Sequence, residues 1–202
     1  TGQLLLTFSE VVAGSTVVVQ NLIFTSSQSP LATEYKLTGG IVTYVDSPFI
    51  NVTLTPVDLN NIKATASLLT NAQNTYLYFL FNMTKDLSNN SILAQPKSNA
   101  IRTSSLVPDT TPPVLLSFVL DLNSYTLMLT FSETVNGSTL VVPSLRLQNV
   151  ANALLGYRAY VDLILRGSGA VLLGSLYSPV LMVKLDANDV ITLQLNPTLG
   201  SS

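Results

Sequence analysis

The side chains that carry most acid–base and nucleophilic chemistry are missing from this chain: its 202 residues include no histidine and no cysteine. Without histidine the usual general base near neutral pH is gone, and with it any Ser-His-Asp or Cys-His arrangement. Without cysteine there is no disulfide framework and no thiolate metal site. Serines are plentiful, but none sits in a nucleophile elbow. Eleven carboxylates remain, and two of them recur. Glu10 and Glu133 each close a Leu-Thr-Phe-Ser-Glu motif, 123 residues apart. Equivalent positions in separate domains do not make an acid–base pair, so both read as turn carboxylates accepting backbone hydrogen bonds. Neither an enzymatic activity nor a cofactor is expected.

Oxygen-rich clusters are the remaining candidates. Calcium prefers grouped carboxylate and amide oxygens. Asp186, Asn188 and Asp189 form one weak candidate, and Asp109 with Asp121 a second. Neither has the spacing of a calcium loop, and loop Asp and Asn ordinarily do turn chemistry. No metal is therefore expected. Four Asn-X-Ser/Thr sequons start at Asn51, Asn82, Asn89 and Asn136. They matter if the chain is secreted by a cell with the transferase. Asn82 and Asn89 flank Lys85-Asp86 in a polar loop, and Asn136 is expected at a hairpin tip, so these three are sterically credible glycan acceptors.

The elements that position these residues come in two copies. Leu4–Phe24 (LLLTFSEVVAGSTVVVQNLIF) aligns without a gap on Leu127–Leu147 (LMLTFSETVNGSTLVVPSLRL), with 13 of 21 positions identical. Self-similarity of this length means two domains of one fold. An apolar run, Pro113 to Leu120, precedes the second copy and has no counterpart before the first. The first copy is followed by Thr75 to Ser105, which has no counterpart after the second. Either the chain is a window on a longer repeat array, or strands from other chains complete its domains.

Composition suits two all-β domains of ordinary size. Apolar residues make up 47% and charged residues only 10%, against roughly 25% charged in an ordinary soluble domain. A surface so poor in charge favours association. A net charge of −2 with scattered Lys and Arg gives no field for nucleic acid. The apolar runs are strand-length, so no membrane-spanning segment is expected. The chain starts without Met and shows no leader, so any signal peptide is expected to have been removed.

Alternation assigns the strands. Leu4, Leu6 and Phe8 face in, while Gln3, Leu5 and Thr7 face out; Tyr125, Leu127, Leu129 and Phe131 repeat this. Leu5 and Met128 put apolar side chains on the outer face, where a neighbouring strand or a further domain would cover them. Val17–Phe24 and Leu140–Leu147 read as the next strand, joined by hairpin turns at Ala13-Gly14-Ser15 and Asn136-Gly137-Ser138. Further strands are expected at Ile50–Leu54, Thr75–Asn82, Ala100–Ser104, Tyr157–Leu165, Pro179–Leu185 and Val190–Leu195. One short helix, capped by Asp58 and running to Leu69, belongs to the first domain. The boundary lies in Ser104–Pro113, which holds three prolines, giving domains 1–107 and 108–202.

The linker Asp109–Pro113, the motifs Leu6–Glu10 and Leu129–Glu133, and the turns Gly14–Thr16 and Gly137–Thr139 together resemble the tandem immunoglobulin-like repeats of large microbial cell-surface proteins. That resemblance implies two immunoglobulin-like β-sandwiches in tandem, at the cell surface or outside it, in an adhesion, stalk or fibre role. Two readings follow. In the first, the chain is a protomer of a fibril- or pilus-like filament. It is a homopolymer with helical symmetry, built by donor-strand complementation. The donor is Thr1–Ser9, with Leu4, Leu6 and Phe8 as anchors. In the second, these are adhesive or spacer repeats of a longer surface protein, with Leu173–Leu181 as the most exposed loop.

Overall fold

A computed structural model describes residues 2–43, 45–149, 162–165 and 171–196. The chain divides into two compact units, Thr1–Thr111 and Pro112–Ser202. Among the described residues the fold is all-β, with antiparallel sheets and two short α-helices.

In the first unit β1 (Gln3–Val12), β4 (Gly40–Val42) and β5 (Ser47–Leu54) make one sheet, ordered β1-β5-β4. β2 (Leu22–Thr25), β3 (Glu34–Lys36), β6 (Tyr76–Phe79) and β7 (Ile101–Arg102) make the other, ordered β3-β2-β6-β7. Helix α1 (Pro56–Ala64) follows β5. Both sheets feed one core: Leu6, Ile50 and Val52 from the first, Leu22, Phe24 and Phe79 from the second. Ile62 of α1, Leu68 and Met83 close it. Leu4, Leu6 and Phe8 do face inward on β1, while Leu5 is 65% exposed on the outer face.

The second unit contains β8 (Leu115–Asp121), β9 (Thr126–Asn136), β10 (Arg146–Gln148), β11 (Asp162–Ile164), β12 (Val171–Leu173), β13 (Tyr177–Lys184) and α2 (Ala187–Leu195). One sheet is ordered β12-β13-β9-β8, and β10 pairs with β11. The registers repeat those of the first unit. Leu6 faces Ile50 as Leu129 faces Leu181, and Ile23 faces Lys36 as Arg146 faces Ile164.

Several sequence expectations are corrected. The Gly-Ser-Thr turns are not hairpins. Each is a 3₁₀ turn, Gly14–Thr16 or Gly137–Thr139, and a second 3₁₀ turn follows before the strand begins. β9 pairs with β8 and β13, so the chain crosses here to the other sheet. Asn136 has φ −87° and serves as an N-cap, accepting from Ser138 N. The glycine is there for close approach: a Cβ on Gly14 would sit 2.8 Å from Val45 O, and one on Gly137 3.2 Å from Leu176 O.

The helix expected over Asp58–Leu69 spans Pro56–Ala64, capped by Thr55, with Asp58 in its third position. Val190–Leu195, read as a strand, belongs to α2, so each unit has its helix. Apolar residues at 190, 191, 193 and 195 satisfy both periodicities, and the cap at Asp186 decides for the helix. Leu173–Leu181 is no free loop but the β12–β13 hairpin, turning at Gly174 with φ +87°. Of Tyr157–Leu165, only the last four residues lie within the described part.

Candidate interaction surfaces

Several carboxylates are held by hydrogen bonds within their own unit. Asp58 is fully buried at the third position of α1. It accepts from Tyr35 Oη and Thr38 Oγ1, both at 2.8 Å, and from the backbone N–H groups of Thr38 and Gly39. Burial works to raise its pKa, but the hydrogen bonds from Thr38, Tyr35 and Gly39 outweigh it and hold the carboxyl below its ordinary value of 3.8. Asp189 takes the same helical position in α2 and is also buried. Asp186 caps that helix, its Oδ1 accepting from Asn188 N at 2.7 Å. Two members of the calcium candidate thus do helix chemistry.

Asp109 pairs with Lys63 in the first unit. In the second, Asp121 accepts from Ser124 Oγ, Asn123 N and Ser124 N at a turn, which lowers its pKa. Among the described residues no three His, Cys, Asp or Glu side chains form a metal-binding group. Glu10 and Glu133 lie inside β1 and β9 rather than in turns, Glu10 within the irregular stretch between Thr7 and Val12.

The sequons separate by exposure. Asn51 is held in β5 between two paired strands. Asn136 is half-buried at the end of β9. Asn82 and Asn89 are exposed, both with positive φ. Asn82 Oδ1 accepts from Ser91 Oγ, and the sequon threonine, Thr84, is itself buried. Asn89 Oδ1 accepts from Lys85 Nζ at 2.9 Å, and its sequon serine, Ser91, is half-buried.

The informative surfaces are sheet edges. β9 is flanked on both sides, by β13 and β8. Its counterpart β1 pairs with β5 alone; among the described residues nothing pairs with its other side except a bridge from Val12 to Asp86. β2 is flanked by β3 and β6, whereas its counterpart β10 pairs with β11 alone among the described residues. Side chains register the same gap. Leu22 and Phe24 are fully buried, yet their counterparts Leu145 and Leu147 are only half-buried. Phe118 faces buried Leu129 across β8–β9, and opposed residues share a face. It therefore lies on the core side of its sheet, and it is 57% exposed. Ile101 lies on the core side of β7, opposite Leu77, and is 54% exposed.

The proposed donor segment is not idle in the single chain. Leu6 is in the first unit's core, Leu4 and Phe8 pack against it, and β1 runs in register with β5 from Gln3 to Thr7. Withdrawing it would uncover Ile50 and Val52. Alternation identified these anchors as buried, but it could not tell a core strand from a donated one. Both edges are legible in the offset, because Pro113–Leu120 and Thr75–Ser105 are the unmatched parts of the repeat. On the outer face, Met128 lies between Val119 and Met182, so neighbouring strands cover it laterally.

No described helix is long and apolar enough to cross a membrane. Comparisons with protein-family models, with curated proteins and with solved structures found no match.

Proposed function

We propose that this chain is a structural subunit of an extracellular, cell-surface filament. Its units are immunoglobulin-like β-sandwiches whose open edges take up β-strands from neighbouring subunits. The observation that carries this reading is the contrast between β9, paired on both sides, and β1, which among the described residues pairs with β5 and otherwise only through the Val12–Asp86 bridge. An unpaired strand edge is a ready template for another strand. The low charge of the chain leaves little to oppose such pairing. The acceptor role therefore falls to the outer edge of β1, while Leu4, Leu6 and Phe8 anchor β1 in its own unit. The carboxylates have structural duties, and we assign the protein no catalytic role. Asn89, and Asn82 after it, are the positions we propose for glycans in a secreted form. Intact mass before and after glycosidase treatment tests this, and an unchanged mass rejects it.

A specific observation favours a second reading, adhesive or spacer repeats within a longer surface protein. Among the described residues the first unit has a β6–β7 pair with no counterpart in the second, and the second has a β8 strand with no counterpart in the first. That is the pattern of consecutive repeats whose boundary falls between β7 and β8. Electron microscopy and light scattering of the purified chain separate the two. Regular filaments, lost in Leu5→Lys at the exposed edge strand, support the filament. Monomers at every concentration sink it and leave the spacer.

A further inference from the structure

Asn51 departs from the repeat. Leu6 opposes Ile50 as Leu129 opposes Leu181, so Asn51 of β5 stands where β13 has Met182, and Phe49 where it has Val180. Asparagine is disfavoured inside strands, because it packs poorly on a pleated surface. A hydrogen bond to its amide could offset that cost. The other sequon asparagines have such bonds: Asn82 Oδ1 accepts from Ser91 Oγ, Asn89 Oδ1 from Lys85 Nζ and Asn136 Oδ1 from Ser138 N. Among the described residues the Asn51 side chain has none, and no unpartnered side-chain amide is buried, so its amide opens to solvent.

The surroundings suit something attached there. Phe49, Asn51 and Thr53 alternate with Ile50 and Val52, which are fully buried in the core. All three therefore project from the outer face of the sheet, roughly 6.6 Å apart along the strand. They read Phe-x-Asn-x-Thr, so the acceptor amide and the sequon hydroxyl share one face with an aromatic ring. β5 is the central strand, held by β1 and β4, which fixes this row in register. Phe49 is 59% exposed, and Leu5 and Ile41, opposite Asn51 and Thr53, are exposed beside it. No charged side chain lies on this face in the paired registers. An aromatic face is negative and attracts the C–H groups of a sugar ring. Apolar surface around it gains from being covered.

We infer that Asn51 carries an N-linked oligosaccharide whose first sugar lies over Phe49 and shields the outer face of the β1-β5-β4 sheet. The transfer forms a bond from Asn51 Nδ2 to the anomeric carbon of an oligosaccharide carried on a polyprenyl phosphate. The bond from that carbon to the phosphate oxygen breaks, and its electron pair stays with the lipid phosphate. Nδ2 gives up one proton to the base of the transferase. β5 is paired on both sides in the folded unit, so transfer precedes folding, and folding then brings the glycan onto Phe49. The inference rests on the proposal that the chain is secreted, and it adds a site and a packing role to the glycans proposed at Asn89 and Asn82.

The test starts with the full chain secreted from a eukaryotic host that has the transferase. Its peptides are treated with peptide N-glycosidase in heavy-oxygen water, which turns each occupied asparagine into a labelled aspartate. Label at Asn51 is the expected result. An unlabelled Asn51 beside a labelled Asn89 or Asn82 overturns the inference and leaves those two sites standing. No label at any sequon overturns both. Urea unfolding then examines the role of Phe49. Asn51→Gln should raise the unfolding equilibrium constant of the glycosylated chain about two- to tenfold, and leave it unchanged in chains from a host without the transferase. In a Phe49→Thr background the rise should vanish. Both substitutions fall on the outer face, away from the core. An equal rise in both backgrounds overturns the contact between sugar and ring, and an equal rise in unglycosylated chains assigns the effect to the amide and overturns it too.

Discussion

Asp58 shows how a carboxylate can dominate a fold without doing chemistry. It sits in the first turn of α1, where the helix dipole favours negative charge, and it collects hydrogen bonds from the 35–39 segment. Replacing it with alanine strands Tyr35, Thr38 and Gly39 donors, and should cost the first unit about 2–3 kcal/mol in urea denaturation. The pH dependence has a definite sign. The folded pKa is depressed, so the stabilisation is complete above the ordinary value of 3.8 and disappears as pH falls through the folded value. Asp58→Asn should flatten that acid limb of the stability profile; an unchanged limb would assign the acid sensitivity elsewhere. Asp189 holds the same position in the second unit, which makes the pair a signature of the repeat more telling than Glu10 and Glu133.

At the level of elements, the turns at Gly14 and Gly137 are the test of close approach. Gly14→Ala forces a Cβ against the Val45 carbonyl and should destabilise by about 1–3 kcal/mol. A neutral result would mean that the 43–46 segment yields. The sequence made β1 and β9 legible through period-2 alternation, and β5, β6, β8 and β13 as apolar runs of strand length. It hid β3, β4 and β12, each three residues long and too short to show a period. It misread α2, where the apolar residues fit either period and only the Asp186 cap discriminates. It also took Asn136-Gly137 for a hairpin, although the glycine answers to packing rather than to positive φ. Of the candidate site, the anchors were visible as inward residues. Their being core of their own unit was not, because alternation reports a face and says nothing of which chain covers it.

For the whole molecule, unequal completion predicts unequal protection. Amides at 22–25 sit in a strand paired on both sides, and those at 146–148 in a strand paired, among the described residues, on one. Native-state exchange should therefore be markedly faster at 146–148 than at 22–25. Equal rates would mean that something already covers β10 in solution. The two openings also differ in kind. Among the described residues one lies beside β1, where the second unit has β8, and the other beside β10, where the first unit has β6. An assembly that fills both through such strands has direction: its two ends are chemically distinct, and each requires its own terminator. A capping molecule that stops growth at one end would leave the other end growing.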